Sequence, residues 1–211
     1  MNTVICSHGF GVRADSRGMF TEIADAFPEH LFKMFDYNNV MPSGDVTIPA
    51  LEDQAKTLQS QVDNAVGGIT LLCHSQGCMI AGLIDLSKIH RVILMAPPVR
   101  MSMQTVIEAM KKRAGSVYNP NGTSLLPRSD GTTTYLPSEY LKSLSGYDPI
   151  NLYQAIADTK PTTIIRCLND EVVGLTNVDT IKNAVHIDLI SDHNFTGPAR
   201  KLLINTLHQV Y

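Results

Sequence analysis

Leu71-Leu72-Cys73-His74-Ser75-Gln76-Gly77-Cys78 is the stretch on which the reading of this chain turns. An apolar run leads into Ser75, and apolar residues resume at Met79 with the spacing of a helix. Small residues stand two before the serine and two after it, at Cys73 and Gly77, where a chain turning sharply from strand to helix leaves no room for larger ones. Such a turn is strained. It lifts its central side chain out of the carboxyl end of a sheet, with the next backbone N–H aimed at the same point in space. Position 73 holds Cys where Gly would be usual, and the side chain is still small.

Outward from this turn, short apolar runs alternate with longer segments of helical spacing. Strands are predicted at Thr3–Cys6, Leu31–Phe35, Ile69–Cys73, Val92–Met95, Thr162–Cys167 and Val185–Ile190. Most are continuously apolar rather than alternating, which is how strands covered on both faces read. Helices are predicted over 18–27, 48–66, 78–86, 150–157, 178–182 and 198–209. In the second, Leu51, Ala55, Leu58, Val62 and Val66 form one stripe, Pro49 fits the first turn, and Gly67-Gly68 ends it. The alternation predicts one α/β domain with a mostly parallel six-stranded sheet and helices on both faces. Between Pro97-Pro98 and Pro149 the rhythm breaks. A basic helical stretch, Thr105–Ala114, is followed by Asn119-Pro120-Asn121-Gly122 and then by a small hairpin centred on Asp130-Gly131. An excursion of this length, 98–149, is expected to be a lid insertion.

Composition removes several classes. The chain has 211 residues, 44% hydrophobic and 18% charged, which excludes a disordered chain, a collagen-like repeat and a coiled coil. A net charge of -3 offers no basic field for nucleic acid or an anionic membrane. No run approaches the ~20 apolar residues needed to cross a bilayer, and no leader peptide opens the sequence, so a cytoplasmic protein is expected. The cysteines Cys6, Cys73, Cys78 and Cys167 lie in or beside apolar runs and read as buried thiols of a reducing compartment. Cys73-His74 with Cys78 has no second Cys/His pair nearby, so no metal is expected. Asn121-Gly122-Thr123 and Asn194-Phe195-Thr196 match the glycosylation acceptor pattern, which has meaning only outside a cytosolic compartment. Ser7-His8-Gly9-Phe10-Gly11 after the first strand lacks the third glycine of a dinucleotide loop, which argues against a nucleotide binder.

A serine hydroxyl needs a base, and the base needs an orienting acid. Asn169-Asp170-Glu171-Val172-Val173 follows the fifth predicted strand, and Ser191-Asp192-His193-Asn194-Phe195 follows the sixth. Both therefore leave the sheet at the edge that carries Ser75, where open α/β sheets place their ligands. Asp170 and Glu171 compete for the acid. Asp170 is preferred because Val172-Val173 should turn the chain inward after it. Asp192 reads as a turn cap, and His186 and His208 as structural residues of a strand and a helix.

Ser7-His8-Gly9-Phe10-Gly11, His74-Ser75-Gln76-Gly77, Asn169-Asp170-Glu171-Val172-Val173 and Asp192-His193-Asn194-Phe195, in that order, resemble the α/β-hydrolase fold serine hydrolases, and the likeness spans nearly the whole chain. The resemblance implies Ser75 as nucleophile, Asp170 as acid, His193 as base, and the N–H groups of Phe10 and Gln76 as the oxyanion hole. It implies no cofactor. The family's opening antiparallel hairpin is missing, so a trimmed core is expected, with 98–149 where the family carries its lid. A small-molecule carboxylic ester of small or medium acyl length is the expected substrate. A thioester or amide would use the same machinery, and a non-catalytic ligand-binding relative is the alternative of another class. Met101, Met103 and Tyr135, with Met110, Val106, Ile107, Leu125, Leu126 and Leu136, could line an acyl pocket or simply fasten the lid to the core. Arg13 and Arg17 could hold a substrate carboxylate, although solvated loop arginines are the preferred reading. Oligomeric state is not legible.

Overall fold

The burial of each strand follows its place in the sheet. In the computed structural model, which describes residues 2–211, six strands form one sheet: β1 (Thr3–Ser7), β2 (Leu31–Met34), β5 (Ile69–His74), β6 (Ile89–Met95), β9 (Thr162–Cys167) and β10 (Ala184–Leu189). Their order is β10-β9-β6-β5-β1-β2, and every neighbouring pair is parallel. The strands β1 and β5 carry no Asp, Glu, Lys or Arg, are buried at every residue and lie inside the sheet. The strands β2 and β10, which include Lys33 and Asp188, take the two edges and leave most of their residues partly or fully exposed. The predicted six-stranded parallel sheet is the observed one, with ends shifted by a few residues.

Alternation along the strands divides the core. Leu71, Cys73, Leu94 and Ile164 face one side, against α2 (Leu51–Asp63), α3 (Gln76–Ala81) and α6 (Pro149–Thr159) through Leu51, Leu58, Met79, Tyr153 and Ile156. Leu72, Ile93 and Ile165 face the other side, against α1 (Met19–Ala26) and α7 (Pro198–Val210) through Met19, Phe20, Leu203 and Leu207. The α2 helix is shorter than its predicted 48–66. Pro49 precedes its first turn, and the last stripe residue, Val66, is 73% exposed beyond the helix end. The segment predicted as a helix over 178–182 is a single 3-10 turn, Val178–Thr180.

A second sheet, absent from the sequence reading, joins β3 (Asn39–Val40), β4 (Val46–Thr47), β7 (Thr123–Pro127) and β8 (Thr133–Pro137) in the order β3-β4-β8-β7. The β7–β8 pair is the antiparallel hairpin expected around Asp130-Gly131. Its turn takes Gly131 at φ 86 and an Asp130 Oδ1 that accepts the Thr132 N–H. Parallel pairing of β4 with β8 ties the excursion back to residues before α2. Two-residue strands such as β3 and β4 have no periodicity to read. The remaining elements of the excursion are α4 (Met103–Lys111), held by a Ser102 capping box, and α5 (Ser138–Ser143).

Candidate active site

The sheet order reverses direction at one point. The chain passes from β1 outward to β2, then returns to lay β5 on β1's other side, so a crevice opens at the carboxyl ends of β1 and β5. The loops that follow these two strands face each other across it. Ser75 closes β5 at φ 54 and ψ -125, a conformation other than glycine rarely adopts. Gly77 is required because a Cβ there would lie 2.2 Å from the Ser7 carbonyl oxygen of β1. Gly9 lets the facing loop approach closely, since a Cβ there would lie 3.0 Å from the Ser75 Cβ. Cys73, on the sheet side of the turn, is fully buried without conflict. The Cys78 thiol donates to the Cys73 and Met95 carbonyls, and burial pushes it well above its ordinary pKa.

His193 and Asp170, more than twenty residues apart in sequence, meet behind Ser75. His193 Nε2 lies 2.9 Å from Ser75 Oγ, and His193 Nδ1 lies 2.7 Å from Asp170 Oδ2. All three residues are buried. Burial raises the Asp170 carboxyl, but the hydrogen bond and charge of His193, with the N–H groups of Val173 and Val172, outweigh it and hold the carboxyl below its ordinary value. An ionised Asp170 only accepts, so Nδ1 carries the imidazole proton and Nε2 is free to accept from the Ser75 hydroxyl.

Asp170 and Glu171 have separate tasks. Asp170 meets the ring, while Glu171 Oε2 accepts the backbone N–H of the same histidine at 3.1 Å. The inward turn expected of Val172-Val173 does not occur, since Val172 is 61% exposed. Their contribution is made by the backbone instead: both N–H groups donate to Asp170 Oδ1, at 2.9 and 2.8 Å. Asp192 caps the following turn by accepting the Thr196 N–H. His186 donates to the Ile181 carbonyl, and His208 packs on Phe27.

Two further histidines brace the loops. His74 Nε2–H donates to the His193 carbonyl at 2.9 Å, and its Nδ1 accepts from Ser16 Oγ at 3.3 Å. Burial, with His193 nearby, lowers His74 to about 3, so it stays neutral. His8 donates from Nδ1 to the Gly9 carbonyl and accepts the Tyr37 N–H, and burial lowers it as well. The Phe10 N–H has no hydrogen-bond partner among the described residues, and the Gln76 N–H belongs to the first turn of α3, where helical partners are lacking. The Gln76 side chain is pinned from two sides: its Nε2 donates to Gln54 Oε1, and Tyr140 donates to its Oε1 at 2.6 Å. Gln54 and Tyr140 were not anticipated. The available signal was a glutamine on the buried face of α2 among Leu51, Ala55 and Leu58.

The cleft above Ser75 measures about 190 Å³, and Phe10, Arg17, Arg113, Leu126, Arg128 and Val172 are among its walls. Of the residues predicted to line an acyl pocket, only Leu126 does so. Met101 and Met103 pack on the core, and Met110 and Leu136 are buried within it. Tyr135 is paired in β8 with Leu125 and Thr47. The amphipathic α4 turns its apolar face to the core, as amphipathic helices do, which leaves the charged end of the segment at the cleft mouth.

The serine hydrolase family model matches residues 27–122, a span that includes Ser75 but not Asp170 or His193. No curated protein matches the sequence. Solved structures match over almost the whole chain. The esterase Est1E from Butyrivibrio proteoclasticus, with ferulic acid bound, is 17% identical over 100% of this chain and 88% of its own, at a TM-score of 0.69. The metagenome-derived lipolytic enzymes LipS and LipT give 14% identity, 99% and 92% coverage and 0.69. The hydrolase olei00960 from Oleispira antarctica gives 15%, 99% and 91%, and 0.66. At these identities the likeness is one of fold. The fold is that of these α/β hydrolases, and the serine hydrolase family model matches the part of the chain that holds the strained serine turn.

Proposed function

We propose that the chain is an esterase that cleaves small carboxylic esters through an acyl-enzyme on Ser75. The observation that carries this reading is the unbroken hydrogen-bond chain from Ser75 Oγ through His193 to Asp170. In this mechanism His193 Nε2 takes the Ser75 proton as Oγ attacks the ester carbonyl. The N–H groups of Phe10 and Gln76 receive the oxyanion, each worth about 3 kcal/mol in comparable sites. His193 then protonates the departing alcohol, and water repeats the sequence on the acyl-enzyme. Asp170 fixes the tautomer and stabilises the imidazolium. Segment 98–149 acts as the lid, an assignment supported by Arg113, Leu126 and Arg128 at the cleft. Among the described residues no helix is long and apolar enough to cross a membrane. Four buried thiols suit a reducing compartment, and we take the protein to be cytoplasmic.

The test is hydrolysis of short-chain alkyl esters by the wild type, Ser75→Ala, Asp170→Asn and Glu171→Gln. Expected is loss of kcat by about 10⁴-fold in Asp170→Asn and under tenfold in Glu171→Gln, with Ser75→Ala inactive. Equal losses in Asp170→Asn and Glu171→Gln would overturn the acid assignment. Turnover retained in Ser75→Ala would overturn the mechanism.

A further inference from the structure

Three arginines from separate parts of the chain converge on the cleft that holds Ser75. Arg17 comes from the loop after β1, Arg113 from just beyond α4, and Arg128 from the β7–β8 turn. The Arg128 side chain is only 12% exposed and is fixed in place. It donates from Nη1 to the Gly11 carbonyl and to Thr134 Oγ1, and its Nε lies 3.7 Å from Asp130 Oδ2. Arg17 is presented by an unusual backbone: Ser16, Arg17 and Gly18 take φ 47, 60 and 81 in succession. Left-handed conformations at two non-glycine residues in a row cost free energy and are found where function needs them.

The three positive charges are answered by few carboxylates. Arg128 has Asp130, and Arg13 in the adjoining hollow has Asp36 at 4.0 Å. Asp15 also borders that hollow, and its Oδ1 accepts the Arg17 backbone N–H. Of the carboxylates beside His193, Glu171 is turned to its backbone and Asp170 to its ring. Among the described residues, Arg17 and Arg113 form no ion pair. Burial and the repulsion of Arg17 and Arg113 hold the Arg128 guanidinium below its ordinary value, against the pull of Asp130. A cleft of about 190 Å³ with mutually repelling guanidinium groups is completed by a small anion, and planar guanidinium forks match a carboxylate.

Resting on the esterase reading, we propose that the substrate is a small ester carrying a carboxylate close to the scissile carbonyl, held by Arg17, Arg113 and Arg128. The anion replaces the solvent around the guanidinium groups and orients the carbonyl over Ser75. It also accords with a lid whose apolar side chains, Leu126 apart, pack on the core rather than on the cleft.

The test compares two pairs of esters that differ in charge but not in shape. Monomethyl succinate is set against methyl 4-methylpentanoate for a charge on the acyl side, and acetoxyacetate against isobutyl acetate for a charge on the alcohol side. Product release is followed by NMR. Expected is a kcat/KM at least tenfold higher for the anionic member of one pair, with the preference reduced by 0.5 M salt. In Arg17→Gln and Arg113→Gln, both at exposed positions, the ratio falls at least tenfold, whereas Lys56→Gln on α2 leaves it unchanged. Equal or better use of the neutral member in both pairs overturns the inference and leaves the esterase reading intact. So does absence of turnover on all four esters while Ser75 still takes a neutral fluorophosphonate. Absence of both turnover and labelling removes the two readings together.

Discussion

His74 should make the fold lose stability in mild acid. It is fully buried between Ser16 and the His193 carbonyl, and it protonates only at about 3 in the fold against an ordinary 6.5. Below pH 6.5 the unfolded chain therefore takes up a proton that the folded chain refuses. Stability tied to His74 is complete above pH 6.5 and is lost progressively as the pH falls toward 3, by a factor of ten in the folding equilibrium per pH unit. At pH 5 the loss is about thirtyfold, or about 2 kcal/mol, which corresponds to about 1 M in a urea midpoint for a chain of this size. His8, also lowered by burial, contributes in the same direction, so the wild-type slope has more than one source. The assay is urea unfolding at pH 7.5 and pH 5 for the wild type and His74→Gln, whose amide can still donate toward the His193 carbonyl. The midpoint of the variant should fall by about 1 M less than that of the wild type between the two pH values. Equal falls would refute the assignment of His74 as a buried neutral group.

Two other perturbations follow from contacts around the serine turn. Gly77→Ala puts a methyl 2.2 Å from the Ser7 carbonyl, so it should destabilise by about 3 kcal/mol or more and spoil the turn, as read by urea unfolding. Tyr140→Phe leaves Gln76 Oε1 without its buried donor and should cost about 1–3 kcal/mol in the same assay, with Gln54→Leu coupled to it rather than additive.

What the sequence discloses and what it hides divide along physical lines. The strands Ile69–His74 and Thr162–Cys167 were legible because burial on both faces selects short segments with apolar centres, here Leu71-Leu72 and Ile164-Ile165. The serine turn was legible because a close approach of α3 to β1 demands Gly77. Asp170 and His193 were legible by their place after a strand, but the distinction from Glu171 was reached through a wrong expectation about Val172. The deciding contacts are backbone N–H groups, which leave no trace in side-chain identity. The second sheet was hidden because β3 and β4 are two residues each. The cationic walls were hidden because Arg113 and Arg128, far from Ser75 in sequence, border its cleft only once the 98–149 segment has folded back.

The most direct measurement on the central claim is covalent labelling of the folded chain with a fluorophosphonate, the adduct being located by mass spectrometry in the wild type, Ser75→Ala and His193→Ala. Expected is a single adduct on Ser75 in the wild type, none in Ser75→Ala, and labelling slowed by at least a hundredfold in His193→Ala. An adduct on another residue, or labelling of Ser75 at an undiminished rate without His193, would contradict it.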